Sequence, residues 1–198
     1  LSFSSTSLPV VTTNAFNIIP GAATSLTIIS DPSGGTAGST DAAAFSVGIT
    51  DDNGHVLTDA AGDVSVSVTS GPGTLAGTTT VTAVSGIATF SAISIGEADS
   101  IYRITATSTG LTSATTNSFS ITAGSATTFS FITQPLGAQP SASLTRQPRV
   151  LLVDSYGNAV TSETKMVTLA IATGTGTTGA ALTGTTSVTT VSGIATFS

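Results

Sequence analysis

The chain has no cysteine and no tryptophan, and Lys165 is its one lysine. Without cysteine there is no disulfide framework, no thiolate metal site and no cysteine nucleophile. Four Lys and Arg residues (Arg103, Arg146, Arg149 and Lys165) stand against ten Asp and Glu, for a formal net charge of −6. A nucleic-acid binder displaces counterions with clustered positive charge, so nucleic acid is not an expected partner. Mean hydropathy is positive, at +0.43, yet no 18-residue apolar run exists. The apolar residues alternate with Thr and Ser, which is strand patterning and not that of a spanning helix, so no membrane insertion of this segment is expected. There is no initiating Met and no basic stretch followed by an apolar one, and the sequence reads as a mature segment or an excerpt. Only 7% of residues are charged, a composition that with abundant Thr, Ser, Gly and Ala suits a secreted, cell-surface protein better than a cytosolic enzyme. N-x-S/T sequons are absent, which leaves O-glycosylation as the modification the many hydroxyls allow.

What the chain does have is an internal repeat. Val84 to Ser91 (VSGIATFS) returns unchanged as Val191 to Ser198. Asn14 and Asn117, Phe16 and Phe119, Gly21 and Gly124, Pro32 and Pro135, Asp51 and Asp154, Gly54 and Gly157, and Gly71 and Gly174 are each 103 positions apart. Gly77 and Gly184, Gly86 and Gly193, and Phe90 and Phe197 are 107 apart, so the second copy has a four-residue insertion between Gly174 and Gly184. A fixed period sets the architecture before any local reading does. It divides the chain into residues 1–22, matching the end of a unit, residues 23–124, a complete unit, and residues 125–198, a second unit without its last strands.

Within 23–124 the strand signals are period-2 alternation bounded by Gly, Pro, Asp and Asn. Leu26 and Ile28 mark strand a, and Phe45, Val47 and Ile49 mark b. Val64, Val66 and Val68 mark c. Thr79 to Val84 and Ile87 to Ile93 form d and e around Ser85-Gly86, a two-residue hairpin connection. Tyr102, Ile104 and Ala106 mark f, and Phe119 and Ile121 mark g. Seven short strands without a helical period predict an all-β fold, a two-sheet Greek-key sandwich in tandem. Residues 125–198 repeat a to e. Two accounts of the lacking f and g strands stand side by side. One is that the sequence is a window on a longer array. The other is strand donation, in which residues 1–22 of one copy complete the last unit of another.

The run SGPGTLAGTTTVTAVSGIATFSAIS, followed by YRITATSTGLTSATTNSFSIT and with DSYGNAVT in the second copy, resembles the bacterial immunoglobulin-like repeats of large surface proteins of the invasin and adhesin-stalk type. The resemblance spans the whole chain. It implies an extracellular immunoglobulin-like sandwich in a rod-like array, with neighbouring units as partners and no catalytic residues.

Candidate chemistry is sparse. Gly174 to Gly179 fits GxGxxG but leads toward another strand, whereas a dinucleotide fingerprint needs a helix opening there. His55 is the one histidine, its counterpart is Asn158, and a lone histidine on a turn does not make a hydrolytic triad. Lys165 has no counterpart in the first copy, which argues against a repeat-wide Lys–Asn isopeptide bond. If strands alternate in direction, Asp31, Asp41, Glu97 and Asp99 approach Asp154, Asn158 and Glu163 at the junction between units. That set of hard oxygen ligands would suit Ca²⁺, the one cofactor expectation. Against it, no DxDxDG spacing is present, and Asp and Asn are ordinary turn formers. The expected function is a non-enzymatic stalk or filament. The alternative is an adhesin module binding glycan or a host protein through end loops, with Tyr156 the turn aromatic to test.

Overall fold

The computed structural model describes every residue except 16–18, 20, 138 and 140. The described residues form strands, turns and one 3-10 turn at Asp41–Ala43, with no α-helix among them. Phe16 and Ile18, counterparts of the last-strand residues Phe119 and Ile121, lie outside the described residues.

Residues 1–22 contribute a hairpin of β1 (Ser2–Ser5) and β2 (Leu8–Thr12). The complete repeat contains β3 (Ser25–Ser30), β4 (Gly35–Thr36), β5 (Phe45–Thr50), β6 (Asp63–Ser70), β7 (Leu75–Gly77) and β8 (Thr80–Thr82). It continues with β9 (Ile87–Phe90), β10 (Ile93–Ile95), β11 (Asp99–Thr107), β12 (Ala114–Thr115) and β13 (Phe119–Thr122). In the second repeat are β14 (Thr128–Thr133), β15 (Arg149–Val153), β16 (Met166–Thr168), β17 (Ser187–Thr189) and β18 (Ile194–Thr196).

In the complete repeat a sheet in the order β3-β5-β9 faces one in the order β4-β13-β11-β6-β8, with β12 paired to β11. The alternation in sequence produces this directly. Along β6, Val64 and Val66 point inward and are buried, while Asp63, Ser65 and Ser67 are exposed, as the pleat requires. Leu26, Val47, Ile49, Ala88 and Phe90 from one sheet meet Val64, Ile104, Ala106, Phe119 and Ile121 from the other. The Phe45 and Phe90 rings stack with centroids 5.2 Å apart, and Tyr102 stacks on Phe119 at 5.8 Å. Each such ring adds a large buried apolar area with favourable pair geometry.

The recurring octapeptide is the corner between the sheets. Val84 and Ile87 exchange both backbone hydrogen bonds, at 2.9 and 3.1 Å. Ser85 and Gly86 between them have φ of 51° and 74°, the paired positive φ of a type I′ turn. The two arms then separate, β8 pairing with β6 and β9 with β5. Gly86 is held on both sides: its N–H donates to Ala60 O and its carbonyl accepts from Ile49 N–H. A Cβ there would stand 2.2 Å from Leu57 O. Gly193 repeats the arrangement, accepting from Leu152 N–H at 2.8 Å, with a Cβ position 2.1 Å from Val160 O. Positive φ and lack of room together make glycine obligatory at both corners.

One expectation is corrected. Ile87 to Ile93 is not one strand: β9 pairs with β5, whereas β10 pairs with β7 in a separate two-stranded ladder. The chain leaves the first ladder for the second at Ala92, whose carbonyl takes the Thr78 N–H, and Gly77, with φ 96°, ends β7 opposite Ile93.

Residues 125–198 reproduce this order in reduced form, as β14-β15-β18 and β16-β17. Their core is small: Val150, Val167, Ala195 and Phe197, with Leu169 and Val188 packed against it. Phe129 is 52% exposed, whereas its counterpart Leu26 is 5% exposed. The reason is what lies beside it. Leu26 N–H donates to Thr112 O and Thr112 N–H to Thr24 O, so the segment before β12 covers that edge, and nothing among the described residues covers β14 in this way. Likewise β6 runs for 8 residues with β11 alongside, while its counterpart β16 runs for 3. The β1–β2 hairpin pairs Ser2 with Thr12 and Phe3 with Val11. These are the positions, 103 residues earlier, of the Thr105–Thr115 and Ala106–Ala114 pairs of β11 and β12.

Candidate functional site

Non-local hydrogen bonds from side chains converge at the junction between the two repeats. It is built on a turn, Asp154 to Asn158, closed by hydrogen bonds from Asp154 N–H to Asn158 O and from Gly157 N–H to Asp154 O. Asp154 is 3% exposed and its carboxylate organises the turn. Oδ1 accepts from Tyr156 N–H and Asn158 N–H, both at 2.9 Å, and Oδ2 accepts from Asn158 Nδ2 at 3.0 Å. Oδ2 also takes the Gly124 N–H at 2.9 Å, which ties the linker between the repeats to the turn. Burial pushes this carboxyl up, but the Asn158 side chain and the Gly124, Asn158 and Tyr156 N–H groups outweigh it, leaving the pKa below the ordinary carboxylate value. A carboxylate accepting several N–H groups is stabilised in its charged form.

With the turn set, Asn158 and Tyr156 reach into the first repeat. Asn158 Nδ2 donates to Gly96 O at 2.7 Å and Asn158 Oδ1 accepts from Ala98 N–H at 2.9 Å. The side-chain amide thus closes on the β10–β11 loop in the manner of a backbone pair. The Tyr156 ring lies over Gly96 and Gly38, so that a Cβ at Gly96 would be 2.7 Å from Tyr156 Cδ1. Gly38 is itself bound to the same loop through its N–H to Ile95 O at 2.8 Å. From the inside, the buried Tyr102 hydroxyl bridges Glu97 O at 2.8 Å and Pro72 O at 2.7 Å. Burial raises the Tyr102 pKa, and the charges of Glu97 and Asp99 add to that. The loop Gly96–Ala98 is therefore held between Tyr102 beneath and Asn158 above.

The first repeat carries the same turn at Asp51. This carboxylate, 2% exposed, accepts from Gly21 N–H at 3.0 Å, His55 N–H at 2.9 Å, Asn53 N–H at 3.0 Å and the His55 ring at 3.2 Å. The Gly21 N–H, then the His55 N–H, are the main causes that bring its pKa down to about 2. His55 thus helps shape a turn, and no hydroxyl nucleophile is hydrogen-bonded to its ring among the described residues.

The seven oxygen ligands weighed for calcium do not converge, and among the described residues no three His, Asp or Glu side chains stand close enough to hold a metal ion. Asp31 is directed to Asn117, accepting from its backbone N–H and Nδ2, both at 2.7 Å. Asp41 begins the 3-10 turn, and Asp99 Oδ1 accepts from Ile101 N–H. Glu163 pairs with Lys165 at 2.9 Å and accepts from Ala126 N–H at 3.0 Å. Lys165, then Ala126, hold its carboxyl below the ordinary value. Glu97 contributes its backbone carbonyl to Tyr102. Asp154 and Asn158 do sit at the junction, where their oxygens accept N–H donors. Gly174 to Gly179 is turn and bend with no helix opening from it.

Sequence reasoning missed Tyr102 as a loop support and Gly38 and Gly96 as the seat of Tyr156. It also weighed Asp154 as a calcium ligand where it is a buried acceptor of N–H groups, and it assigned Asp51 no such role. A signal existed for the last: Gly21, Asp51 and Gly54 all recur at the same 103-residue spacing, as a turn and the linker it binds would.

No protein-family model matches the chain, and no curated protein matches it. Among solved structures, a β-glycosidase from Bacteroides vulgatus aligns with 23% identity and a TM-score of 0.39, over 48% of this chain and 14% of that one. The chain thus spans about one-seventh of that enzyme's length, and a likeness this loose carries no argument about fold or activity.

Proposed function

We propose that the chain is a structural segment of an extracellular stalk or filament on a bacterial cell surface, made of immunoglobulin-like Greek-key sandwiches in tandem and without catalytic activity. The observation that carries this reading is the junction. A buried carboxylate binds the linker, and Asn158 and Tyr156 grip the β10–β11 loop of the preceding repeat, so that successive repeats hold a set orientation. Stability in such arrays comes from each core plus its nearest-neighbour interface. The arrangement of β3-β5-β9 against β13-β11-β6-β8 supports the Greek-key assignment. Composition supports the cell-surface location: few charges, no cysteine and many hydroxyls.

An adhesin acting through end loops is the second reading. Tyr156, the aromatic on which it leaned, is half exposed but already seated on Gly38 and Gly96, which favours the spacer. Small-angle scattering of the chain, with and without Asn158→Ala plus Tyr156→Ala, tests the choice. A spacer has a defined maximum dimension that broadens in the double variant. An unchanged distribution, together with retention on a glycan array that is lost on Tyr156→Ala, would transfer the assignment to the adhesin.

A further inference from the structure

The two repeats share the turn that grips and the loop position that receives it, but not the residues at the point of contact. In the junction the Tyr156 ring is seated between two glycines. A Cβ on Gly96 would be 2.7 Å from Tyr156 Cδ1, and one on Gly38 would overlap the tyrosine hydroxyl and the ring carbons beside it. The turn is not free to slide away, because Asn158 fixes it to Gly96 O and Ala98 N–H and Asp154 fixes it to the linker at Gly124. In the second repeat the position of Gly38, 103 residues on, is Ser141. Its backbone keeps the left-handed conformation, with φ 63° against 79°, so a side chain stands where the first repeat leaves room for a ring. The turns differ in the complementary sense. The first repeat has Asn53 where the second has Tyr156, and His55 where it has Asn158. Both side chains fold back on their own turn: Asn53 Nδ2 donates to Asp52 Oδ1 at 3.0 Å, and the His55 ring stands 3.2 Å from Asp51 Oδ2.

We infer that the residue at the Gly38 position and the residue two after the buried aspartate form a steric matching pair that selects which repeat sits on which. A glycine receiver takes a tall turn, with tyrosine at that place. A receiver with a side chain, as at Ser141, takes a low turn with asparagine, of the kind at Asp51 to His55. The partner such a surface fits is another immunoglobulin-like repeat of defined turn sequence, and the order of an array holding both kinds is set by sterics. Exclusion is the means of selection that this junction allows. Asn158 bonds to backbone atoms, which any repeat presents, so its attraction does not discriminate, whereas an overlapping Cβ rejects the wrong neighbour. The inference rests on the stalk reading and adds neighbour selection to it.

Four forms of the 198-residue chain test the rule: unsubstituted, Gly38→Ser, Tyr156→Asn, and both together. The readout is hydrogen exchange at the Ala98 N–H, which is bonded to Asn158 Oδ1 across the junction. The Ile104 N–H, bonded to Thr116 within the first repeat, reports whether that repeat is folded. Gly38→Ser should speed Ala98 exchange about tenfold while Tyr156 is present, as moderate overpacking would. Adding Tyr156→Asn should slow it again, to within about twofold of Tyr156→Asn alone, because the cost of a serine at positive φ is common to both backgrounds and cancels. Gly38→Ala, which adds the Cβ alone, should give the same pattern and serves if the serine variant does not fold. No acceleration in the presence of Tyr156, or a double variant that exchanges as fast as the glycine substitution alone, would overturn the rule. Small-angle scattering of the unsubstituted chain reports on the spacer reading by itself. A broad range of dimensions would remove that reading, whereas a defined dimension without rescue would remove the matching rule alone.

Discussion

Replacing Asn158 with alanine removes a side chain that hydrogen-bonds across the junction through both of its polar atoms. The bonds lost are 2.7 Å to Gly96 O, 2.9 Å from Ala98 N–H and 3.0 Å to Asp154 Oδ2. A hydrogen bond of this kind contributes about 1 kcal/mol net, and one to a charged group somewhat more. The two that span the junction therefore amount to about 2 kcal/mol, which corresponds to a factor of about 30 in the opening equilibrium. Native-state hydrogen exchange reads that equilibrium at one amide. Ala98 N–H, bonded to Asn158 Oδ1, should exchange about 30-fold faster in Asn158→Ala. Ile104 N–H, bonded to the buried Thr116 hydroxyl at 3.0 Å, should be unchanged, because the core of the first repeat does not depend on the junction. Exchange at Ala98 altered by less than about twofold would refute the reasoning. It would mean that the Asn158 amide merely replaces water at that loop and contributes nothing to holding the repeats together.

Three other outcomes follow from the same geometry. Gly96→Ala should weaken the junction by about 1–2 kcal/mol through overpacking against Tyr156, and Tyr156→Ala should relieve the clash, so the double variant melts no lower than Tyr156→Ala alone. Gly86→Ala, where φ is 74° and Leu57 O stands 2.2 Å from the added carbon, should cost more than the 1–2 kcal/mol of a left-handed alanine. In chemical denaturation the transition for residues 23–124 should shift accordingly. Asp51 has a folded pKa lowered from 3.8 to about 2. Its contribution is therefore complete above the unfolded value and is lost as pH falls from about 4 toward about 2. Asp51→Asn should flatten the acid limb of the stability curve in that window, and an unchanged limb would show that other carboxylates govern acid unfolding.

The all-β character and the strand positions were legible because they rest on period-2 alternation, which the pleat converts directly into an inside and an outside. Val64, Val66, Ile104 and Ala106 are buried where alternation puts them. The division of Ile87 to Ile95 between two ladders was not legible, because Phe90, Ile93 and Ile95 are all buried and local pattern does not say which neighbour a strand chooses. The acceptor roles of Asp51 and Asp154 were not legible for a related reason. A carboxylate's partners are mainly backbone N–H groups here, and backbone donors leave no trace in residue identity. Phe129 and Phe131 show the limit from the other side: their spacing is that of a core, but burial belongs to whatever lies across from them.

Tyr102 and Asn158 grip one loop from opposite sides, and this predicts coupling between residues that do not touch. Tyr102 belongs to the core of the first repeat, yet its hydroxyl reaches Glu97 O, and the neighbouring Gly96 O and Ala98 N–H are the groups that Asn158 binds. Tyr102→Phe keeps the ring packed on Phe119 and removes the hydrogen bond alone, at a cost of about 1 kcal/mol. If the loop were rigid without that bond, the effects of Tyr102→Phe and Asn158→Ala on Ala98 exchange would add. If the hydroxyl presents Gly96 O and Ala98 N–H to Asn158, the loop in Tyr102→Phe is already mispositioned, and Asn158→Ala costs less in that background. Residues sharing a partner segment typically show interaction energies of about 0.5–3 kcal/mol in such cycles. A double-mutant cycle on Ala98 exchange should therefore give a non-zero coupling term, positive in the sense that the pair is worth more together than apart. Strict additivity would make the junction a surface contact laid on a finished repeat. Coupling would mean that the core of each repeat is built partly to hold its neighbour.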